Sequence, residues 1–457
     1  MRDARVAAQE YNPHTLTFGA IYNGFRRESA ALWFLCFYIL VEYLRPQQMY
    51  KAIDILPWGQ LSIVLCFASV FVTKSRSTGA NAMDKMFIAI SLLVILSGFM
   101  AWDPAISWKY WSTYASWMLM YFCIVSILNS PHRMLLFVIA FIVINFKLSQ
   151  HGARSFATRG FGFAKHGLSG AGWFHNSGEL ALQMVVMFAM SLSLLMGMKR
   201  YITSNRRWQI LILLFPATAA LTVIGSSSRG GQLALAAVVF LFFMKNKNFV
   251  RNVLALAIVG YIGFSFLPET QKARFTTMGD DRTSELRLLH WGHAWEVIKE
   301  EPFGIGYRNW SGYYEANFDV ELVEQIHNSS LEAFVDLGYL GGALVHVAIL
   351  MSLIMNRRTR REMQRFGGPK GDAMASIAHG LNLALIGTFI AAMFMSVLFY
   401  PMFWVSFALS SALRKVSLGM LKNESAAKTD SWFVQSKPKA GISRPGMPPA
   451  EQEKLAS

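Results

Sequence analysis

Residues 208–231 read WQILILLFPATAALTVIGSSSRGG, and the fold turns on them. The first part, 208–225, carries no charged residue and approaches the ~20 residues needed to cross a bilayer as a helix. It then stops abruptly in three serines, Arg229 and two glycines. Val253–Leu267 is a second block of the same kind. The whole chain agrees with these two samples. Its 457 residues are 54% apolar and 15% charged, with a mean hydropathy of +0.34. A soluble domain carries roughly 25% charge, so this chain lacks the polar surface to wrap several aqueous cores. That excludes an ordinary cytosolic enzyme, a disordered chain and a secreted disulfide scaffold. A polytopic membrane protein remains.

Outward from that stretch, apolar segments recur at 30–44, 58–72, 86–101, 114–128, 134–147, 179–198, 208–225, 230–244, 250–267, 329–355, 374–398 and 400–413, about twelve in all. The last two read equally as one unit broken at Tyr400 and Pro401. No segment has the alternation of a lipid-facing β-strand, so the expected fold is an all-α bundle. The segments imply a plan of an N-terminal piece at 1–29, nine spans over 30–267 with a basic loop at 148–178, a large loop at 268–328, three spans over 329–413 and a tail at 414–457. The first span starts late and another follows it, so it reads as an anchor rather than a cleaved signal. The tail from about Lys422 is rich in Lys, Ser and Pro and reads as disordered. Cys36, Cys66 and Cys123 each fall inside a span and read as packing residues.

The net charge of +16 looks like a nucleic-acid signature until it is mapped. With the N-terminus inside, 29 of the 43 Lys and Arg residues fall in inside segments and 14 outside. This is the positive-inside rule. It puts both termini in the cytoplasm and gives the basic excess a role at anionic headgroups, with no nucleic-acid partner.

A transporter would place ionisable residues at membrane depth. Here most spans are clean, and the polar residues collect outside. The 268–328 loop holds eleven acids, six bases, and His290, His293 and His327. The 148–178 loop is basic and His-rich, with His151, Arg154, Arg159, Lys165, His166 and His175. Within the large loop, 284–299 reads as a helix that puts Arg287, Trp291 and Trp295 on roughly one face. The two tryptophans fit an interfacial face and a substrate-facing role equally well. Pro302–Tyr307 reads as a structural glycine turn. Ser329 and Glu332 have capping-box spacing, which sets His327 just ahead of a helix N-terminus, where imidazolium is disfavoured. Such a histidine is either a general base or bonded to a loop carbonyl. Arg229 opens a span and is either a fixed fork for phosphate oxygens or the partner of a loop acid. Asp280 and Asp281 are adjacent rather than spaced, and His290 with His293 lacks obvious further ligands, so no metal site is expected.

Taken in order, Ser226–Gly231, Arg287–Trp291, Pro302–Tyr307 and His327–Glu332, with Gly338 and Gly341 following, resemble the O-antigen ligase family. That family belongs to a superfamily that also holds O-antigen polymerases and ligase-like protein O-oligosaccharyltransferases. Residues 172–179 resemble a family loop in divergent form. The resemblance implies a GT-C-like architecture in the bacterial inner membrane, with the active site facing the periplasm. It implies inverting, metal-independent transfer, without a cofactor, in lipopolysaccharide biosynthesis. The donor would be a glycan on undecaprenyl pyrophosphate, and the acceptor a sugar hydroxyl of lipid A–core. His327 would act as base, while Arg229 and Arg287 would bind the pyrophosphate and stabilise it as it leaves, with Arg282 as an alternative to Arg287. Trp291, Asn328, Arg154 and Arg159 complete the expected substrate-binding set. A polymerase and a protein O-oligosaccharyltransferase differ from a ligase only in acceptor, and a polysaccharide transporter is disfavoured by the clean spans.

Overall fold

The computed structural model describes residues 17–73, 79–162, 168–202, 206–244, 250–251, 282–319 and 323–435, together with positions 254, 261 and 265. Among the described residues there are helices and no β-strand. The principal ones are α1 (Ala30–Ile39), α2 (Trp58–Val72), α3 (Ala82–Phe99), α4 (Trp111–Ile127), α5 (Pro131–Thr158), α6 (Ser177–Met198), α7 (Arg206–Gly225), α8 (Arg229–Phe243), α9 (Arg282–Glu300), α10 (Trp310–Asn317), α11 (Ser329–Phe366), α12 (Gly368–Ala392) and α13 (Pro401–Gln435).

Six helices are long and apolar enough to cross a membrane: Ala82–Phe99, Pro131–Thr158, Ser177–Tyr201, Arg207–Gly225, Ser329–Phe366 and Gly368–Ala392. Four shorter apolar helices accompany them, at Ala30–Leu44, Trp58–Val72, Trp111–Ile127 and Arg229–Phe243. The chain is therefore an all-α, multi-pass membrane protein. The expected span at 250–267 lies outside the described residues apart from five positions.

Several helices outrun the apolar segments that announced them. Helix α5 continues past the expected end at 147 to Thr158, carrying His151 and Arg154 on helix rather than loop. Helix α11 continues through Arg357–Arg365 and stops only at Gly367, whose φ of +69° and ψ of −169° suit glycine alone. The starts are fixed by side chains. Asn81 with Asp84 and Asn176 with Glu179 form reciprocal capping boxes at α3 and α6. Helix α7 holds Pro216 internally without ending there.

Residues up to Ser417 form one compact unit. Its centre is α6, almost wholly buried and packed against α7, α8 and α12, while α11 packs on α3, α9 and α12. At the end of the bundle reached by residues 28, 84, 133, 200, 372 and 414, ion pairs tie the helices together. Arg133 Nε meets Glu28 at 2.9 Å, Lys415 Nζ meets Asp84 at 2.8 Å, Arg200 pairs with Asp372 and Arg414 with Glu362. Leu418–Ser457 form a second unit. Helix continues there through Gln435. Residues 436–457 lie outside the described residues.

Candidate active site

His327 sits where the large loop turns into α11. Its φ is +52°, a left-handed conformation that costs a non-glycine residue roughly 1–3 kcal/mol unless its surroundings fix it. They do so from both sides. The His327 amide donates to Ser396 Oγ at 3.0 Å. The indole of Trp291 donates to the carbonyl of Ile326 at 3.0 Å. Next in the chain, Asn328 caps α11, its side-chain oxygen accepting from the amides of Ser330 at 3.0 Å and Leu331 at 3.2 Å. The cap is thus Asn328, not the expected Ser329. The Ser329 hydroxyl instead donates to Met395 O at 2.7 Å and accepts from Val397 N at 2.8 Å.

The His327 imidazole is half-buried, and burial holds its pKa below the ordinary histidine value. Arg287 adds to that lowering, His290 acts the same way, and Glu324 opposes it. Arg287 and His327, predicted separately from the sequence, are therefore electrostatic neighbours. Burial likewise lowers His290, which is 1% exposed. Helix α9 rests on an apolar cluster of Ala294, Val297, Ile298, Trp310, Tyr314 and Ile326, with Trp291 packed against it. Trp295, expected on the same face as Trp291, is 56% exposed and points away from that cluster.

Arg229 is exposed at the first turn of α8, after Ser227 at φ +65°. Ser228 caps the helix by accepting from Gly231 N at 3.2 Å. Gly231 is a steric requirement, and Gly230 is a close fit. A Cβ on Gly231 would come within 2.5 Å of Ala181, and one on Gly230 within 3.1 Å of Phe394. Residues 393–400 join this turn to the histidine turn, because Phe394 packs on Gly230 and Ser396 holds His327. Two residues span at most about 7 Å of chain. Arg154 and Arg159 flank the arrangement at the end of α5, where Phe156 lies against Gly225. Arg154 is exposed, whereas Arg159 donates to Ser155 Oγ at 2.8 Å and Gly162 O at 3.2 Å within its own turn.

The residues after the expected glycine turn went unread in the sequence. Gly304, Gly306 and Gly338 all have positive φ, and the loop locks to α11 through Ile305 N to Val335 O at 2.9 Å, Gly306 N to Asp336 O at 3.1 Å and Tyr339 N to Pro302 O at 3.0 Å. This lock presents Arg308, whose amide donates to Asp336 Oδ2 at 3.0 Å. Burial works against the Arg308 charge, but the Glu332 carboxylate and Tyr307 more than offset it. Glu332 and Asp336 are 5% and 1% exposed, and the charge of the half-buried Arg308 acts on both. Tyr400 continues the polar chain by donating to Glu179 Oε1 at 2.8 Å. The only signal available was an arginine directly after Gly306 and Tyr307.

The family model described as O-antigen ligase matches residues 214–346. Over that stretch the chain is similar to the O-antigen ligase family. No curated protein matches the chain. The family is one of glycosyltransferase-like enzymes of the O-antigen ligase and polymerase type. Its match begins inside α7 and ends inside α11, taking in the Arg229 turn, α9 and the His327 cap. Residues 154–159 and 393–400, which pack against the matched segment, lie outside it. Arg282 opens α9, Asp280 and Asp281 lie outside the described residues, and so do Lys165 and His166. Among the described residues no group of three or more His, Cys, Asp or Glu side chains is arranged to hold a metal ion.

Proposed function

We propose that the protein transfers a glycan from a lipid-linked pyrophosphate, undecaprenyl pyrophosphate, to a sugar hydroxyl of lipid A–core. The reaction is inverting, needs no metal and takes place at the periplasmic face of the bacterial inner membrane. Twelve spans with both termini cytoplasmic fit the 29-to-14 partition of basic residues. The observation that carries the reading is the juxtaposition of a half-buried His327 in a left-handed turn with Arg287, the histidine being tied to the Arg229 turn through residues 393–400.

In this reading a ring nitrogen of His327 takes the proton of the acceptor hydroxyl as its oxygen attacks the anomeric carbon. The bond between that carbon and the pyrophosphate oxygen breaks on the opposite face. Arg229 and Arg287 bind the departing pyrophosphate and stabilise its charge in a site of low polarity. Arg287 serves twice, because its charge also keeps the imidazole neutral and able to accept. Pyrophosphate is a good leaving group, so cations suffice. Trp291 and Asn328 hold the histidine turn, and Arg154 lies exposed at the flank, available to the donor.

The decisive experiment is His327→Ala, assayed with lipid-linked donor and purified acceptor, beside extracts from a deletion strain. The variant is expected to bind donor and to lose transfer. Unchanged transfer removes His327 as base. In the deletion strain, lipid A–core without polymer and with lipid-linked polymer retained supports ligation, whereas single-repeat lipopolysaccharide replaces it with polymerisation.

A further inference from the structure

A polar cavity of about 280 Å³ lies at the ends of α1, α2 and α4, near the small end of the ~300–1,000 Å³ range of ligand pockets. None of its residues belongs to the domain match at 214–346. Its floor breaks several local rules together. Helix α1 loosens into a π-turn at Leu40–Leu44, a distortion that gathers at functional sites. Arg45 follows at φ +48°. Glu42, a carboxylate only 8% exposed, is shared by Arg45 at 3.3 Å and the indole of Trp173. The Arg45 guanidinium stacks 5.2 Å from the Trp173 ring, and a Cβ on Gly172 would overlap its side chain.

Three residues that line this cavity each hold a buried polar atom without a hydrogen-bond partner: Tyr38 Oη, Arg45 Nε and Gln47 Oε1. Tyr38 is 1% exposed, so its hydroxyl has no bulk water to fall back on. Buried donors and acceptors are nearly always paired. Three orphans around one cavity mark a place built to meet a polar ligand.

The lining selects that ligand. It is too polar for an acyl chain. Its carboxylates Glu42 and Asp54 outnumber its one cation, Arg45, which disfavours phosphate. What remains is amide and hydroxyl groups set between the indoles of Trp58, Trp117 and Trp173, which suits a molecule with hydroxyls on its rim and C–H bonds on its faces. We infer that the cavity is a saccharide-binding subsite for a neutral sugar residue. Trp173 connects it to the transfer centre, since its ring lies 4.9 Å from that of Tyr400, in the segment that holds His327.

Saccharide binding stands on the cavity alone; its use in transfer rests on the function proposed above. The test titrates the full chain in detergent with delipidated core oligosaccharide and, separately, with the free repeat-unit glycan, following tryptophan fluorescence. Steady-state transfer is measured in parallel. Trp58→Ala and Gln60→Ala are each expected to weaken binding of one saccharide about tenfold, the loss of one good contact. Trp58→Phe, which keeps an aromatic face, is expected to restore most of it. A rise in acceptor KM at nearly constant kcat assigns the site to the acceptor, and a rise in donor KM assigns it to the donor glycan. Saccharide binding without any transfer in the parent chain upholds the subsite while removing the transferase reading. Unaltered affinity of both variants for both saccharides overturns the subsite.

Discussion

Gly338 and Gly367 provide a matched pair for measuring what the interlocked turns contribute. Their backbones are nearly the same, φ +67° and ψ −173° against φ +69° and ψ −169°. Alanine at either position meets the same backbone penalty, ~1–3 kcal/mol. Their surroundings differ completely. Nothing lies within 4 Å of a Cβ on Gly367, whereas one on Gly338 would sit 2.4 Å from the Pro302 carbonyl oxygen and 2.5 Å from the Phe303 carbonyl carbon. Those atoms are backbone, so no side-chain rotation relieves the overlap. Gly338→Ala must push the 302–307 turn off α11 and break the three bonds at Ile305, Gly306 and Tyr339. At ~0.5–1.5 kcal/mol each, that adds about 1.5–4.5 kcal/mol to the shared strain. Taking ~2 °C per kcal/mol for a large unit, Gly338→Ala is expected to melt roughly 3–9 °C below Gly367→Ala. Because such unfolding is often irreversible, the two are compared in the same detergent at one scan rate. Gly338→Ala is also expected to lose transfer, since Arg308 and the start of α11 move with the turn. Equal midpoints with full activity in both would refute the steric reasoning.

The site makes three further predictions. Arg287→Gln removes a charge that lowers the His327 pKa, so the acid limb of kcat/KM moves to higher pH; it stays below the ordinary histidine value because burial, the larger cause, persists. An unmoved limb would mean that the titrating base is not His327. Arg229→Lys keeps the charge but loses the two-pronged fork, and a fall in kcat of about tenfold or more is expected; equal activity would dismiss bidentate contact with pyrophosphate. Asn328→Asp preserves an acceptor for the amides of Ser330 and Leu331, whereas Asn328→Ala costs about 1 kcal/mol, so thermal scans should rank alanine below aspartate, and the reverse order would contradict the cap.

The apolar blocks announced the helices because a bilayer imposes a length and a composition together. They did not announce the ends, which depend on capping and on helix propensity. Helix α11 keeps going through Arg357–Arg365 since arginine is a good helix former and no breaker intervenes before Gly367. The cap at His327 was misread by one residue because Asn328 and Ser329 can both cap, and the choice is made by Met395 and Val397, which take up the serine. A contact with a partner some 66 residues further on is invisible to local pattern. Arg229 stood out as a charge opening an apolar stretch, Arg287 by its spacing from Trp291, and His327 by its place just ahead of a helix. Arg308 did not, because its meaning comes from Glu332 and Asp336, one helical turn apart on α11.

Residues 393–400 carry a consequence for biosynthesis. They supply the hydroxyl that fixes His327 and the ring that seats the Arg229 turn, yet they leave the ribosome after the whole of the 214–346 domain. The nascent chain therefore holds His327, Arg229 and Arg287 before it holds the residues that brace the histidine and the Arg229 turn. A chain cut before residue 393 should insert, keep every residue matched to the family and remain silent. On the proposed function, synthesis past residue 400 is the step that completes the transfer centre.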